Sequence, residues 1–553
     1  MRLVDTSDLW WKNAVIYCVD VAKYLDDDGD GTGDLSGLSR RLDYLAELGV
    51  SCLWLMPIYT SPKQDNGYDV ADFYGIDPKL GTHGDVVELI RTAEDRGIRV
   101  IVDLVVNHTS DQHPWFKSAR RSKDSPFRDF YVWRDEPPED SRESMFPDQE
   151  DGVWEWDERT EQYYLHSFYR HQPDLNAGNP RVQEELSKVM GFWLQLGVSG
   201  FRVDAVPSLV SSPLRRDPKR DHDVLRSLRE FAQRRSSDAA LIGEVNLPYE
   251  EQVEYFGEAG EGELHMQFDF PGNQALYLAL ARRDPSALRH MLGRRPEVDV
   301  QSQWANFIRN HDELTLDQLS DAERQEVFEA FAPDEHQRVF DRGIRRRLPP
   351  MLGGDPRWVR MVYSLLFSLP GTPVLFYGEE IGMGEHLDID ERDAVRTPMQ
   401  WDGDEFRAGF STARPRRFPL PLAEGPWSPR HVNVEDQLFD EDSLFSFVAM
   451  LARTYRQSAE IGWGAFEALD CDAPSVLAHS CATASRRFVA LHSFSDEAVT
   501  VQVSIVGEPE GSVLTDLADG TKIDLVEGRV AFDLLPYGAR RFRVSRPGDG
   551  RLR

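Results

Sequence analysis

The sequence predicts an α/β protein: a (β/α)8 (TIM) barrel with an inserted domain after the third strand and an antiparallel β-sandwich domain at its C-terminal end. Three observations carry this reading. Apolar runs of strand length alternate with helical patterns over residues 14–106, and the alternation resumes from residue 182. Residues 109–174 between them have poor periodicity and are rich in Pro, Asp, Trp and Tyr, as in PPEDSRESMFPDQEDGVWEWDE. Beyond about residue 463, runs such as SRRFVALHSF and AVTVQVSIV alternate with Gly, Pro and Asp turns. The expected division is therefore a barrel over 1–108 and 175–462, an insertion over 109–174 walling one side of a pocket, and a β domain over 463–553.

Taken in order, residues 14–21 (AVIYCVDV) read as a first strand, and a helical pattern runs from Leu35 to Leu48, where Gly49 stops it. Residues 51–56 form a second strand, 86–96 a helix and 99–106 a third strand. After the insertion, a helix over 182–196 leads through Gly197 to a strand at 200–203, and further apolar runs stand at 241–243, 264–268, 304–308 and 374–377. That makes eight parallel strands, and closing them into a barrel removes the edges and buries both faces.

With 41% apolar and 11% aromatic residues over 553 positions, the chain has ample material for a packed core, which excludes disorder. Its 95 acidic against 63 basic residues give a formal charge of −32, a poor match for nucleic acid or an anionic membrane, while neutral sugars remain open as partners. No basic segment followed by an apolar core opens the sequence and no run of about twenty apolar residues occurs, so neither export nor membrane insertion is expected. Cys18, Cys52, Cys471 and Cys481 show no CxxC spacing, and the first two fall in strand-like runs; buried thiols in a reducing cytoplasm are the expectation.

In a barrel enzyme, side chains from distant positions converge at the C-terminal ends of the strands. Three acids end apolar runs there: Asp204 in GFRVDAV, Glu244 in LIGEVN and Asp312 in FIRNHDE. Cleaving a glycosidic bond needs one ionised carboxylate at the anomeric carbon and one protonated acid for the leaving oxygen, and a third acid can hold sugar hydroxyls. Arg202, two residues before Asp204, shares its strand face and is placed to keep it ionised. His108 ends IVDLVVNH and His311 sits in NHD, and both can bond one glucose unit; Tyr68 offers a ring for a pyranose face and Asp69 a carboxylate for its hydroxyls. In DDDGDGTGD, Asp26, Asp28, Asp30 and Asp34, with the Thr32 carbonyl, alternate on a glycine-permitted loop, either a calcium site or an acidic turn.

Residues 103–108 (DLVVNH), 200–206 (GFRVDAV), 243–246 (GEVN) and 309–313 (RNHDE) resemble the four conserved regions of the α-amylase superfamily, glycoside hydrolase family 13, and 172–176 (QPDLN) resembles the fifth. The resemblance spans about residues 10–460. It implies Asp204 as nucleophile, Glu244 as general acid/base and Asp312 as transition-state stabiliser, with Arg202, His108, His311, Tyr68, Asp69 and Arg396 around the bound glucose. It also implies a structural Ca2+ in the DGDG loop, no organic cofactor, and self-association, for which the C-terminal domain is the natural surface.

Within the superfamily, residues 307–316 (FIRNHDELTL) and 342–355 (RGIRRRLPPMLGGD) resemble the branch that interconverts maltose and trehalose, which implies an isomerase acting by intramolecular glucosyl transfer; the alternative is a retaining α-glucosidase hydrolysing short α-glucosides. Cys18 and Asp20 stand where the usual pattern has Glu and His, Asp269 where His is common, and around the general acid GEVNLPYE (243–250) replaces the usual residues; these departures bear on the acceptor. An isomerase must retain free glucose, so 109–171 and the loops near 207–225 and 315–345 are the expected lid.

Overall fold

A computed structural model describes residues 9–138, 145–146, 149–210, 222–258 and 261–548. Of the expected lid segments, the part at 211–221 lies outside the described residues. Eight parallel strands close in chain order: Ile16–Val19, Cys52–Leu55, Arg99–Leu104, Gly200–Val203, Ala240–Gly243, Met266–Phe268, Gln303–Phe307 and Thr372–Phe376, the last pairing with the first through Ile16 and Val374. Every strand expected from the apolar runs is present. Apart from Arg99, all their residues are buried, because helices cover the outside and side chains fill the inside.

The helices obey local rules. Pro180–Leu196 begins with the Asn179 side chain accepting from the Arg181 amide and a proline where no N–H is needed, and ends at Gly197 with φ 108°, a left-handed cap that costs glycine little. The single helix expected over 35–48 is two, Leu35–Ser39 and Leu42–Leu48. The chain breaks at Arg40 and Arg41, where Arg41 lays its guanidinium 4.0 Å from the centre of the Trp401 ring.

Two excursions leave the C-terminal ends of the strands. The first, after strand three, carries the helix Pro114–Ala119 and an antiparallel sheet in the order Trp133–Arg134, Gln162–Leu165, Trp154–Asp157. It departs and returns side by side, with His108 bridged to Asp174 and Tyr131 to Leu175. The second, after strand seven, holds the helix Asp321–Phe331 and a sheet of two-residue strands, Leu314–Thr315, Gly343–Ile344 and Arg338–Val339. Strands so short show no alternation, which is why the sequence reading placed only a loop there.

The C-terminal strands form one sheet of six and one of two. A separate core containing Val489, Leu491, Val501, Val503, Phe532 and Phe542 lies between them, the packing of a sandwich. It docks on the barrel through Tyr537 stacked on Trp358 at 4.9 Å, and through His492 Nε2, 3.1 Å from Ser364 Oγ. All four cysteines are free thiols, with Cys18, Cys52 and Cys481 buried. Among the described residues no helix is long and apolar enough to cross a membrane.

Candidate active site

A cavity of about 490 Å³ opens at the C-terminal ends of the strands, and Tyr68, His108, Asp204, Glu244 and Asp312 all line it. Strand four places Arg202 at its centre. The guanidinium donates from Nη1 to Asp103 Oδ1 (2.7 Å) and Asp204 Oδ1 (2.5 Å), and from Nη2 to Glu244 Oε2 (2.6 Å). Asp103 also accepts from Trp54 Nε1 at 2.8 Å and is fully buried, as the register of strand three beside Arg202 requires. The turn after Asp204 puts Ala205 at φ 46°, and its amide donates to Glu244 Oε2 at 3.1 Å. A residue without glycine's freedom is thus held in the left-handed region where backbone and acid meet.

A second ionic group surrounds Asp312. Its Oδ1 accepts from Arg392 Nη1 (2.8 Å) and Arg396 Nη2 (3.0 Å), and His311 Nε2 lies 3.1 Å from Oδ2. The same His311 nitrogen is 2.7 Å from the Tyr68 hydroxyl, and the two rings stack at 5.6 Å. His108 reaches the cavity with Nε2 buried and unpartnered among the described residues, a polar atom available to a ligand. Arg396 is fully buried and holds Asp312 and the His311 carbonyl from behind.

Asp69 does not join this group. It is fully buried and spent on Ser61 Oγ (2.7 Å) and the Gln64 amide (3.0 Å), which fixes the turn carrying Asp65. Asp65, four residues earlier, lines the cavity instead and is bound by Arg392 Nη2 at 2.6 Å. Sequence reasoning missed Asp65, Asp103 and Arg392. Asp65 opens DNGYD and was visible as a second acid in that motif, and Asp103 opens DLVVNH; Arg392 sits in a loop with no pattern of its own.

The environments separate the three acids. Burial pushes Glu244 up to about 7, with Arg202 pulling down and Asp204 and Asp312 pushing up. Burial likewise raises Asp204 to about 6 against the pull of Arg202, so the arginine expected to keep it well ionised only offsets part of the desolvation and of the repulsion from Asp103 and Asp312. At Asp312 burial acts upward too, but His311, Arg392, Arg396 and Arg202 outweigh it and hold the carboxyl well below the ordinary range. Burial lowers both His311 and His108. The cavity therefore pairs a proton-retaining acid with a firmly ionised one.

Above it, Phe146 and Tyr169 of the first excursion pack on Phe340 of the second. Phe340 and Asp341 both take left-handed backbone (φ 55° and 52°), and Arg342 Nη2 donates to the Met145 carbonyl at 3.1 Å. The two excursions thus meet over the pocket.

In the acidic loop, Asp26, Asp28 and Asp34 each offer a carboxylate oxygen, all within 4.8 Å of one another; Asp30 and Thr32 belong to the same loop but not to that group. The loop is tightly formed, with Asp26 accepting from the Gly29 and Gly31 amides and Asp34 from those of Asp27 and Gly37. Asp28 accepts from the Asp30 amide, which lowers it, yet burial and the charges of Asp30, Asp26 and Asp34 leave it raised. Crowded carboxylates of this kind suit a hard cation.

Buried carboxylates paired through one arginine at the mouth of a (β/α)8 barrel define an enzyme of glycosidic-bond chemistry. Residues 19–332 and 344–464 match the family model of the α-amylase catalytic domain, and residues 486–543 that of the C-terminal domain of sucrose hydrolase-like proteins. The chain belongs to the α-amylase family, glycoside hydrolase family 13. It is 43% identical over 478 residues to the trehalose synthase/amylase of Mycobacterium tuberculosis, covering 85% of this chain and 79% of that protein. To the trehalose synthase of a Pimelobacter species it is 42% identical over 482 residues, 85% of this chain and 84% of the other. Among solved structures, a mutant of the isomaltulose synthase of Erwinia rhapontici matches with a TM-score of 0.78 at 26% identity, covering 97% of this chain and 99% of that one.

Proposed function

We propose that the protein interconverts maltose and trehalose by intramolecular transfer of an α-glucosyl group with retention, releasing some glucose. The observation that carries the reading is the similarity to two trehalose synthases over about 85% of the chain; the separated environments of the three acids support the chemistry.

In the first half-reaction the Asp204 carboxylate attacks the anomeric carbon of the terminal glucosyl unit and forms an ester to it. The bond from that carbon to the bridging oxygen breaks, and Glu244 gives its proton to the departing oxygen. Asp312, ionised by its arginines, stabilises the positive charge that grows on the sugar ring between bond breaking and bond making. Tyr68, His108, His311 and Asp65 bind the same glucose, and Arg396 orients Asp312. In the second half-reaction Glu244 takes the proton of the incoming hydroxyl, whose oxygen displaces Asp204. If that hydroxyl is the 1-hydroxyl of the glucose just released, maltose has become trehalose; water in its place gives free glucose. The aromatic contact of Phe146, Tyr169 and Phe340 supports the first outcome by shielding the pocket.

A structural Ca2+ held by Asp26, Asp28 and Asp34 completes the reading, neutralising the acidic loop; a reducing cytoplasm suits four free thiols, and self-association is assigned to the C-terminal sandwich. Chelation is expected to lower the melting temperature measured by calorimetry while leaving the product ratio unchanged; an unchanged melting temperature removes the metal.

The test of function is a time course from maltose and, separately, from trehalose, resolving both disaccharides and glucose. Convergence on one mixture with minor glucose is expected. Glucose as the dominant product from both sugars would replace the isomerase with an α-glucosidase.

A further inference from the structure

One stretch that stands out in the sequence, residues 342–355, has no task in the chemistry above, yet its three consecutive arginines, Arg345, Arg346 and Arg347, all turn to the same loop. That loop, residues 385–396, carries Arg392 and Arg396, the two arginines on Asp312 Oδ1. Arg345 donates from Nη1 to the Ile389 carbonyl (2.5 Å) and from Nη2 to that of Leu387 (3.0 Å). Arg346 Nε bonds Glu385 Oε1 at 2.8 Å, and the Arg347 amide bonds Oε2 of the same carboxylate at 2.9 Å. Arg347 Nε then reaches the carbonyl of Val395, the residue before Arg396, at 2.8 Å, while its Nη1 holds the carbonyl of Tyr377, just past strand eight, at 2.9 Å.

The other end of this brace is Asp312 itself. Arg309, three residues earlier, donates from Nη2 to the Asp312 carbonyl and from Nε to the Arg346 carbonyl, both at 2.8 Å. A continuous circuit results: from the Asp312 backbone through Arg309 to residue 346, through Arg347 to residue 395, and through Arg396 back to the Asp312 carboxylate. Arg309 and Arg347 are each only 2% exposed, and among the described residues neither forms an ion pair; both guanidiniums are spent on main-chain carbonyls. Burying a cation without a carboxylate partner is costly, and a planar guanidinium is the side chain that fixes two acceptors at a set angle. The loop they hold contains one short helical turn, Glu391–Val395, that opens with Glu391 at φ 48°, so its shape depends on bonds from outside.

We propose that Arg309, Arg345 and Arg347 are positioning residues that brace the loop 385–396 against the backbone of Asp312, and so hold Arg392 and Arg396 in register with its carboxylate. The inference rests on the reading of Asp312 as the acid that stabilises charge on the sugar ring, and it assigns the run of arginines to that acid. None of the three touches the substrate; each acts through the counterions of Asp312.

The experiment measures kcat and KM for α-glucosyl fluoride, read as fluoride released, in Arg347→Lys and Arg345→Lys, each made in the parent and in an Asp312→Asn background. Fluoride leaves without needing a proton, so the readout is bond breaking at the glucosyl carbon and requires no disaccharide acceptor. Lysine keeps the charge but cannot hold two carbonyls at once. In the parent, Arg347→Lys is expected to lower kcat roughly tenfold to a hundredfold with KM changed less than about twofold, the signature of a group displaced from the transition state. In the Asp312→Asn background the loop has no carboxylate left to serve, and the same change is expected to cost less than about threefold. Arg345→Lys, at a partly exposed position, should show the same pattern at smaller size, and it carries the test if Arg347→Lys does not fold. Equal losses in both backgrounds, the mark of a general packing role, overturn the proposal, as does full activity in every variant that folds. A parent that releases fluoride without interconverting maltose and trehalose, with the variants behaving as expected, would end the maltose–trehalose reading and keep the brace.

Discussion

The two sides of the cavity differ in how closely their charged groups are paired. On the barrel side, Arg202 reaches three carboxylates and Asp312 is gripped by two arginines and a histidine, all within about 3 Å. On the side of the second excursion, Arg342 stands 3.8 Å off from Glu313, and Thr315 Oγ1 has no partner among the described residues. A tightly paired ionic set cannot be rearranged without stranding a buried charge, so the barrel side is preorganised for bond chemistry. The looser side can change without stranding a tightly paired charge.

The sharpest way to break this contrast is Arg202→Met. Removing the shared cation leaves Asp103, Asp204 and Glu244 without their common partner, and a loss of about 3–5 kcal/mol in urea unfolding is expected; an unchanged midpoint would mean the network is not preorganised. Glu244→Gln tests the same side through rate. Turnover of maltose is expected to fall on the order of 10²–10⁴-fold, and that of p-nitrophenyl α-glucoside, whose leaving group needs little protonation, far less; equal losses would remove Glu244 as the proton donor.

A third measurement separates either wall from global stability. His479 is buried at the barrel–sandwich junction, with Nε2 2.9 Å from the Ser368 carbonyl, and burial lowers it to about 4. The unfolded chain takes up a proton below about pH 6.5 that the native state refuses, so this contribution is intact above pH 6.5. It is lost as pH falls toward 4, by about 3 kcal/mol. Unfolding midpoints across pH 4–7 check it, and His479→Gln should flatten the dependence. The smallest effect sharpens the looser side: Gly343→Ala is expected to cost about 1–3 kcal/mol through crowding of Glu313, which lines the cavity, and to raise the glucose fraction from maltose. Stability lost without a change in products would confine Gly343 to packing.

The barrel was legible because its strands are buried on both faces and stand out as continuous apolar runs; the acids at their ends followed from that geometry. What escaped was set by tertiary contact. Asp69 reads as a ligand acid in DNGYD, yet only the folded turn reveals that it serves the backbone and exposes Asp65. The unusual residues Tyr249 and Asp269 looked like acceptor determinants, but they bond each other at 2.6 Å, and Asp269 also pairs with Arg295, outside the residues lining the cavity. The two residues serve each other's hydrogen bonding, a relation that no single position displays.

Closure of the barrel has a consequence for how the chain reaches this state. Strand one finishes its sheet only when Thr372–Phe376 docks beside it, and the arginines that neutralise Asp312 lie further along still. Until then the acids face a half-built sheet with two open edges. Such long-range pairing makes for slow folding through sticky, incompletely zipped intermediates. Yield on refolding from denaturant should therefore depend steeply on protein concentration, and the pocket should be among the last features to recover.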